Sequence, residues 1–370
     1  MNQYIDAAVN HYRELLEEQM ARVDAMNHAA PPKDFTALPV VTIGVIDGDG
    51  IGPIISEQTT RVLEALLKDE LAAGSIVMKH IEGLTIENRL AKGQAVPDDV
   101  LEAVKQCDVL LKGPTETPKG GTMGSANVKL RQALDLYANV RPVSVPEKGI
   151  NWTFFRENTE GEYVLGGKGI EIPGALTMDF KVATEPGTRR IARMAFEYAK
   201  NNGKDMVAIV TKANVIKKTD GRFSEICHEV AEGYPGIAAE DWYADIVTAK
   251  LVDERVRTRF QVFVLPNLYG DIITDEAAQL QGGVGTAGSA NLGDQYAMFE
   301  AIHGSAPRMI ETGRGALANP SSLLRAASMM LRHIARTDKA DALDAALDSV
   351  PHNGDTAAGF ADQLIAAIEG

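Results

Sequence analysis

Val40-Val41-Thr42-Ile43-Gly44-Val45-Ile46-Asp47, followed at once by Gly48-Asp49-Gly50-Ile51-Gly52-Pro53, decides how this chain is built. The first eight residues are a short apolar run without helical period, which reads as a buried strand. The glycines end it, and Ile54 to Leu67 resumes with the spacing of a helix. The glycine spacing approaches that of a dinucleotide-binding turn, but Pro53 stands in place of the last glycine. No acid is evident at the end of a second strand either. Alone, such a turn is a tight strand-to-helix connection.

The same alternation continues outward. Ile76 to Ile81 reads as a strand, Asp98 to Gln106 as a helix and Val109 to Lys112 as a strand. Met206 to Thr211 and Phe260 to Leu265 are later strands, each followed by a helix. Ser321 to His333, Ala340 to Leu347 and Ala357 to Ile368 are helical. Strands alternating with helices predict an α/β fold with a largely parallel sheet. Upstream, Ile5, Val9, Tyr12, Leu15, Leu16, Met20, Val23 and Met26 recur at helical spacing over residues 4–27, which predicts a docking helix. Ala29-Ala30-Pro31-Pro32-Lys33 ends it as a linker.

At 370 residues the chain is long enough for two lobes. Apolar residues at 45% and charged residues at 24% are those of a globular protein, and the formal charge of -14 disfavours nucleic acid and acidic lipid as partners. An anionic substrate then needs a local cluster of Arg and Lys. Cys107 and Cys227 are too few and too far apart for a disulfide framework, which fits a reducing compartment. No apolar run reaches the roughly 18 residues that span a bilayer. Acids at Asp6, Glu14, Glu17 and Glu18 break any signal or transit pattern, so a cytoplasmic location is expected.

Three stretches carry candidate chemistry. Arg131, Arg141 and Arg156 fall in or beside apolar segments within a short span, with Ser125 and Asn127 just ahead. Guanidinium groups hold carboxylates through paired hydrogen bonds, so converging arginines suit a polyanion. Asp271 and Asp275 lie four apart, on one face of a helix, and Asp245 could add a third carboxylate. Such a set suits Mg²⁺ or Mn²⁺, although two acids near a helix start also serve to compensate its dipole. Glu300-Ala301-Ile302-His303-Gly304-Ser305-Ala306-Pro307, with Asn319 downstream, places small residues around a histidine, where backbone can approach a flat ring or a phosphate.

In their order and spacing, these motifs resemble the isocitrate and isopropylmalate dehydrogenases, a family of β-decarboxylating dehydrogenases. The likeness runs from about Val41 to the C-terminus and leaves out the N-terminal helix. It implies a two-lobed α/β fold with a mixed, largely parallel sheet. A helical extension would occupy residues 1–34. A cofactor-side domain would cover 35–136 and 282–370, and a small domain 137–281, with a clasp at about 161–192 against a partner subunit. It implies that Arg131, Arg141 and Arg156 grip the substrate carboxylates, that Tyr163 and Lys212 are the acid–base pair, and that Asp245, Asp271 and Asp275 hold Mg²⁺ or Mn²⁺. Sites would be shared across a homodimer, with Lys212 and Asp245 reaching over from the partner and Lys212 lowering the Tyr163 pKa. Glu116, Thr117, Asn214, His303, Gly304, Ser305, Ala306, Arg308 and Asn319 would line the cofactor.

Substrate choice follows from the residues before Arg131. Where isopropylmalate enzymes carry leucines, this chain has Ser125-Ala126-Asn127-Val128, and Ser125 and Asn127 match the isocitrate pattern. A hydroxyl and an amide left unpaired against an isopropyl group would cost about 1–3 kcal/mol each. The expected reaction is therefore oxidation and decarboxylation of isocitrate to 2-oxoglutarate. Isopropylmalate, homoisocitrate and tartrate are the alternative substrates. A regulatory subunit of a heteromeric enzyme and a bare metal- or citrate-binding module are the other classes. Glu116 departs from the Thr or Gly usual beside the nicotinamide. Arg308 suits a 2′-phosphate, yet no Tyr and Arg pair completes an NADP clamp, so NAD and NADP both stand.

Overall fold

The computed structural model describes residues 2–118, 123–283 and 287–370. Its twelve described strands are, in chain order, β1 (Val41–Ile46), β2 (Ile76–His80), β3 (Val109–Lys112), β4 (Ala138–Val145), β5 (Ile150–Glu157), β6 (Ile170–Ile172), β7 (Leu176–Met178), β8 (Met206–Thr211), β9 (Ala238–Tyr243), β10 (Val262–Leu265), β11 (Gly288–Leu292) and β12 (Ala297–Ala301). The fold is mixed α/β with a large, mostly parallel sheet, as the alternation of strand and helix patterns predicts. The backbone divides into two compact units, a flanking unit (Pro32–Val143 with Ala277–Gly370) and a middle unit (Met1–Pro31 with Ser144–Glu276).

In the flanking unit the strands run β2-β1-β3-β12-β11-β4. The pairs β1–β2, β1–β3 and β3–β12 are parallel, and β11 is antiparallel to both β12 and β4. Every residue of β3 and β12 is buried, as expected of central strands covered on both faces. Register then matters more than pattern, because it sets Lys112 beside Glu300 and Asn139 beside Asn291. The central strands thus carry a polar stripe through an apolar core.

In the middle unit β5-β10-β8-β9 are all parallel, and β6 and β7 form a separate antiparallel ribbon. Phe154 and Phe263 are register partners on β5 and β10, and their rings stack with centroids 4.3 Å apart. Trp152 meets both rings edge-on. The buried Val-Phe-Val-Leu of β10 feeds directly into the helix Asn267–Leu280. The predicted strand start at Phe260 shifts to Val262, because Arg257–Arg259 form a 3₁₀ turn. Thr184 caps the helix Glu185–Asn201 by accepting from the Gly187 N–H.

The predicted N-terminal helix is present over Asn2–Asn27 and docks on the middle unit. Tyr12 packs against Phe180, Glu18 pairs with Lys168, and His11 bonds the Lys168 carbonyl. No helix among the described residues is long and apolar enough to cross a membrane.

His333 closes one end of the helix Ser321–His333, with its ring 4.6 Å from Phe35 and 5.6 Å from Phe299. Burial pushes its imidazole down to about 4 from 6.5. The unfolded chain therefore binds a proton between these values that the folded chain refuses. The resulting stability is fully present above pH 6.5 and is lost as the pH falls towards 4, by about 3 kcal/mol. Urea unfolding at pH 4.5 and pH 7 should show this loss, and His333→Phe should shrink it. An equal acid loss in both proteins would assign the effect elsewhere.

Candidate active site

The glycine turn after β1 works as a hub of the flanking unit. Gly48 and Gly50 have φ of +75° and +61°, and a Cβ on either would lie 2.0–2.1 Å from the carbonyl oxygens of Pro114 and Ser305. Asp49 N–H donates to the Pro114 carbonyl and Ile51 N–H to that of Ser305. Between them the buried Asp49 carboxylate accepts from the N–H groups of Ile86 and Glu116, each at 2.7 Å. Burial raises its pKa, against the pull of those bonds and of Arg89. In sequence the turn reads as a tight strand-to-helix connection. The structure shows it pinning the two loops that carry most of the cofactor candidates.

Those candidates meet in part. Ser305 Oγ donates to Glu116 Oε1 at 3.0 Å, which joins loops nearly two hundred residues apart. Arg89, fully buried, secures the same region by donating to the Glu116 carbonyl at 2.6 Å. His303 Nδ1 lies 3.0 Å from the Gly304 carbonyl, and Nε2 is buried with no hydrogen-bond partner among the described residues. Burial lowers its pKa, so the ring is neutral at pH 7. Ala306 holds a left-handed φ of +45° at the start of the short helix Pro307–Glu311. Arg308, Thr117 and Gly304 are exposed. Asn319 Oδ1 accepts from Ser321 N–H at 2.9 Å, just ahead of the helix Ser321–His333.

Arg131 is buried and fixed by Glu300, whose carboxylate also meets Lys112 Nζ at 3.1 Å and Asn291 Nδ2 at 2.8 Å. Burial pushes the Glu300 carboxyl up, but the two cations and these hydrogen bonds outweigh it and hold it at about 2. Burial draws Lys112 down from its ordinary value against the pull of Glu300. Arg131 Nε is buried and makes no hydrogen bond among the described residues. Arg141 is buried on β4. Asn127 Oδ1 accepts from Thr115 Oγ1 at 3.0 Å, and Ser125 precedes the helix Ala126–Ala133 without a side-chain capping bond.

The middle unit holds the remaining candidates. Arg156, at the end of β5, donates to Asn267 Oδ1 from Nε (3.1 Å) and Nη2 (2.6 Å), and pairs with Asp271. Tyr163 OH donates to the other Asp271 oxygen at 2.9 Å. Within one chain burial and the Asp271 charge raise the Tyr163 pKa, and Lys212 faces Asp245. The expected fall depends on a lysine supplied by a partner subunit. Lys212 follows β8, and its N–H donates to the buried Asp220 at 2.7 Å. Hydrogen bonding from Lys212 lowers the Asp245 pKa. Asp271 and Asp275 share the helix Asn267–Leu280, one helical turn apart, as their spacing predicts. Asp245, Asp275 and Asn214 are exposed. Among the described residues no three His, Cys, Asp or Glu side chains gather closely enough to hold a metal, so the aspartates do not form a complete set within one chain.

A mixed α/β fold with a large, mostly parallel sheet places the chain among the architectures seen in isocitrate dehydrogenase structures. The isocitrate dehydrogenase of Methylococcus capsulatus superposes with a TM-score of 0.78 at 34% identity, over 90% of this chain and 100% of that one. The sequence model of the isocitrate/isopropylmalate dehydrogenase family matches residues 42–366. The chain belongs to that family. The mitochondrial NAD isocitrate dehydrogenase subunit 2 of Schizosaccharomyces pombe is 39% identical over 325 residues, covering 85% of this chain and 81% of that one. The NADP isocitrate dehydrogenase of Rickettsia prowazekii is 39% identical over 324 residues, 84% of this chain and 63% of that one. The N-terminal helix lies outside the residues the family model matches.

Proposed function

We propose that this protein oxidises and decarboxylates isocitrate with NAD or NADP and Mg²⁺ or Mn²⁺, as a homodimer with shared sites. The observation that carries the substrate reading is the buried Arg131, fixed by Glu300 and with its Nε making no hydrogen bond among the described residues, on the helix Ala126–Ala133 that follows Ser125 and includes Asn127. Such donors fit carboxylates and would be left unpaired against an isopropyl group. Arg141 and Arg156 complete the grip.

Asp245, Asp271 and Asp275 are oxygen donors of the kind hard cations take, and would hold the metal. When bound, it supplies Lewis-acid polarisation of the substrate hydroxyl and later carbonyl. NAD or NADP supplies the hydride acceptor, against Glu116, His303 and Ser305, with Thr117, Asn214, Gly304, Ala306, Arg308 and Asn319 contributing. Lys212 or Asp275 removes the hydroxyl proton. Tyr163, a phenol that holds its proton firmly beside Asp271, delivers a proton to the carbon that has lost CO₂. The dimer reading is supported by the exposed Val215, Tyr243, Ile246 and Ile272, which lie on the segments bearing Lys212, Asp245, Asp271 and Asp275. Exposed apolar side chains around ionic groups suit a subunit interface. Two buried free thiols suit a reducing compartment, and we place the protein in the cytoplasm.

Steady-state assays on isocitrate, isopropylmalate, homoisocitrate and tartrate, with NAD and NADP in parallel and with Mn²⁺ or chelator, test the reading. Turnover of isocitrate that chelator abolishes is expected. Turnover of isopropylmalate alone would overturn the assignment of Ser125 and Asn127. Asp275→Asn should shift half-saturation by Mn²⁺ upward by about tenfold or more, and an unshifted curve would remove Asp275 from the ligand set. The names of the mitochondrial relatives favour one second reading, a subunit of a heteromeric enzyme. Protein that is inactive alone and activates a second chain would establish it.

A further inference from the structure

We infer that Arg22, on the N-terminal helix outside the family match, is a positioning residue for the arm that carries Arg156 and Tyr163. The inference rests on the proposed roles of those two residues. Arg22 reaches from the helix Asn2–Asn27 and pairs with Glu160, while its other nitrogen donates to Gln19 Oε1 at 2.8 Å. Glu160 is 2% exposed, and so is Glu157 three residues earlier. Glu157 accepts the N–H groups of Thr159 and Glu160, and Glu160 accepts the N–H and hydroxyl of Thr184. Two carboxylates therefore fold one short loop around themselves inside the protein. Burial and the Glu160 charge push the Glu157 carboxyl up to about 7.

Glu160 is also the loop's link to the site. Its carbonyl accepts from Asn267 Nδ2 at 3.2 Å, and Asn267 Oδ1 in turn receives two nitrogens of Arg156. Arg156 pairs with Asp271, which receives the Tyr163 hydroxyl. A continuous path runs from Arg22 through Glu160 and Asn267 to Arg156, Asp271 and Tyr163, all within the middle unit. The fit around Glu160 is close, since a Cβ on Gly187 would lie 2.4 Å from Glu160 Oε1.

Without Arg22 the Glu160 carboxylate loses an ion-pair partner while still facing Glu157. A buried carboxyl in that position takes up a proton or turns away. Either response disturbs its acceptance from Thr184 and shifts the carbonyl that orients Asn267. A guanidinium and a phenol misplaced by a fraction of an ångström lose rate steeply. The helix thus acts on the arm through one ion pair, beyond its apolar docking.

The test compares Arg22→Met, Arg22→Lys and Glu160→Gln in the full-length protein. Readouts are isocitrate kinetics, thermal midpoint and amide hydrogen exchange over residues 157–163. Arg22→Met is expected to lower kcat/KM on the order of a hundredfold and to speed exchange in that segment, with Arg22→Lys recovering most of both. Kinetics within twofold of the parent, with unchanged exchange, would overturn the inference. So would equal losses in Arg22→Met and Arg22→Lys that track the thermal midpoint. If Arg22→Met does not fold, Glu160→Gln carries the same expectations beside Arg22→Lys. A parent protein that never turns over isocitrate refutes the proposed function, and the exchange comparison still decides the coupling.

Discussion

Lys212→Met should lose turnover by about 10²–10⁴-fold while isocitrate binding stays within a few-fold of the parent. Methionine keeps the length of the side chain and removes only the amine that can move a proton. The fold should not suffer, because the lost partner is Asp245, which is exposed and regains water. Lys212 itself is held by its backbone, through the bond to Asp220, and that bond survives the change. A variant with ordinary kcat would remove Lys212 from proton transfer. Within one chain Lys212 faces Asp245, whereas Tyr163 faces Asp271. If sites are shared, the amine acts with the partner's phenol. Mixing Lys212→Met with Tyr163→Phe should then restore activity, since a hybrid dimer holds one intact site. Random exchange of subunits would return about a quarter of parent activity. Mixtures as dead as their components would show that each chain works with its own pair.

The sequence makes the alternation of strands and helices legible because local patterns carry it. The run Val41–Ile46, the glycine turn and the following helix stand where the pattern puts them, and Asp271 and Asp275 share the helix their spacing requires. What links distant segments was not legible. Asp49 reads as a turn residue, yet it holds the Glu116 loop by an N–H from a residue 67 positions away. Arg22 reads as the charged face of a helix, yet it neutralises a buried glutamate 138 positions away. Burial of a charge depends on register and packing, and single-chain periodicity encodes neither. Tyr163 is a further case: burial and contact with Asp271, 108 positions away, raise its pKa, and no local pattern encodes that contact.

Glu300 carries the largest expected effect on stability, and the string Glu300-Ala301-Ile302-His303 gave no sign of it. Glu300→Leu should destabilise the protein by about 3–5 kcal/mol. The carboxylate stands between Lys112, which is fully buried, and Arg131, which is 9% exposed. Removing it leaves two cations in the core, and Lys112 keeps only the Gly113 carbonyl at 2.8 Å as an acceptor among the described contacts. Burial already draws the Lys112 pKa down, and loss of the Glu300 charge would remove the main pull that opposes it. Asn291 would lose the acceptor of one of its amide hydrogens as well. Adding Lys112→Met should recover part of the loss, because it removes one of the two stranded cations while Arg131 still lacks its carboxylate. Glu300→Gln should fall between, since the amide oxygen can still accept from Arg131. Urea unfolding of the three variants measures the series. A single variant within 1 kcal/mol of the parent, or a double variant worse than Glu300→Leu, would show that charge pairing does not hold this stripe. The kinetic consequence separates anchoring from folding: the double variant should fold well yet bind isocitrate weakly, because Arg131 no longer has the carboxylate that aims it.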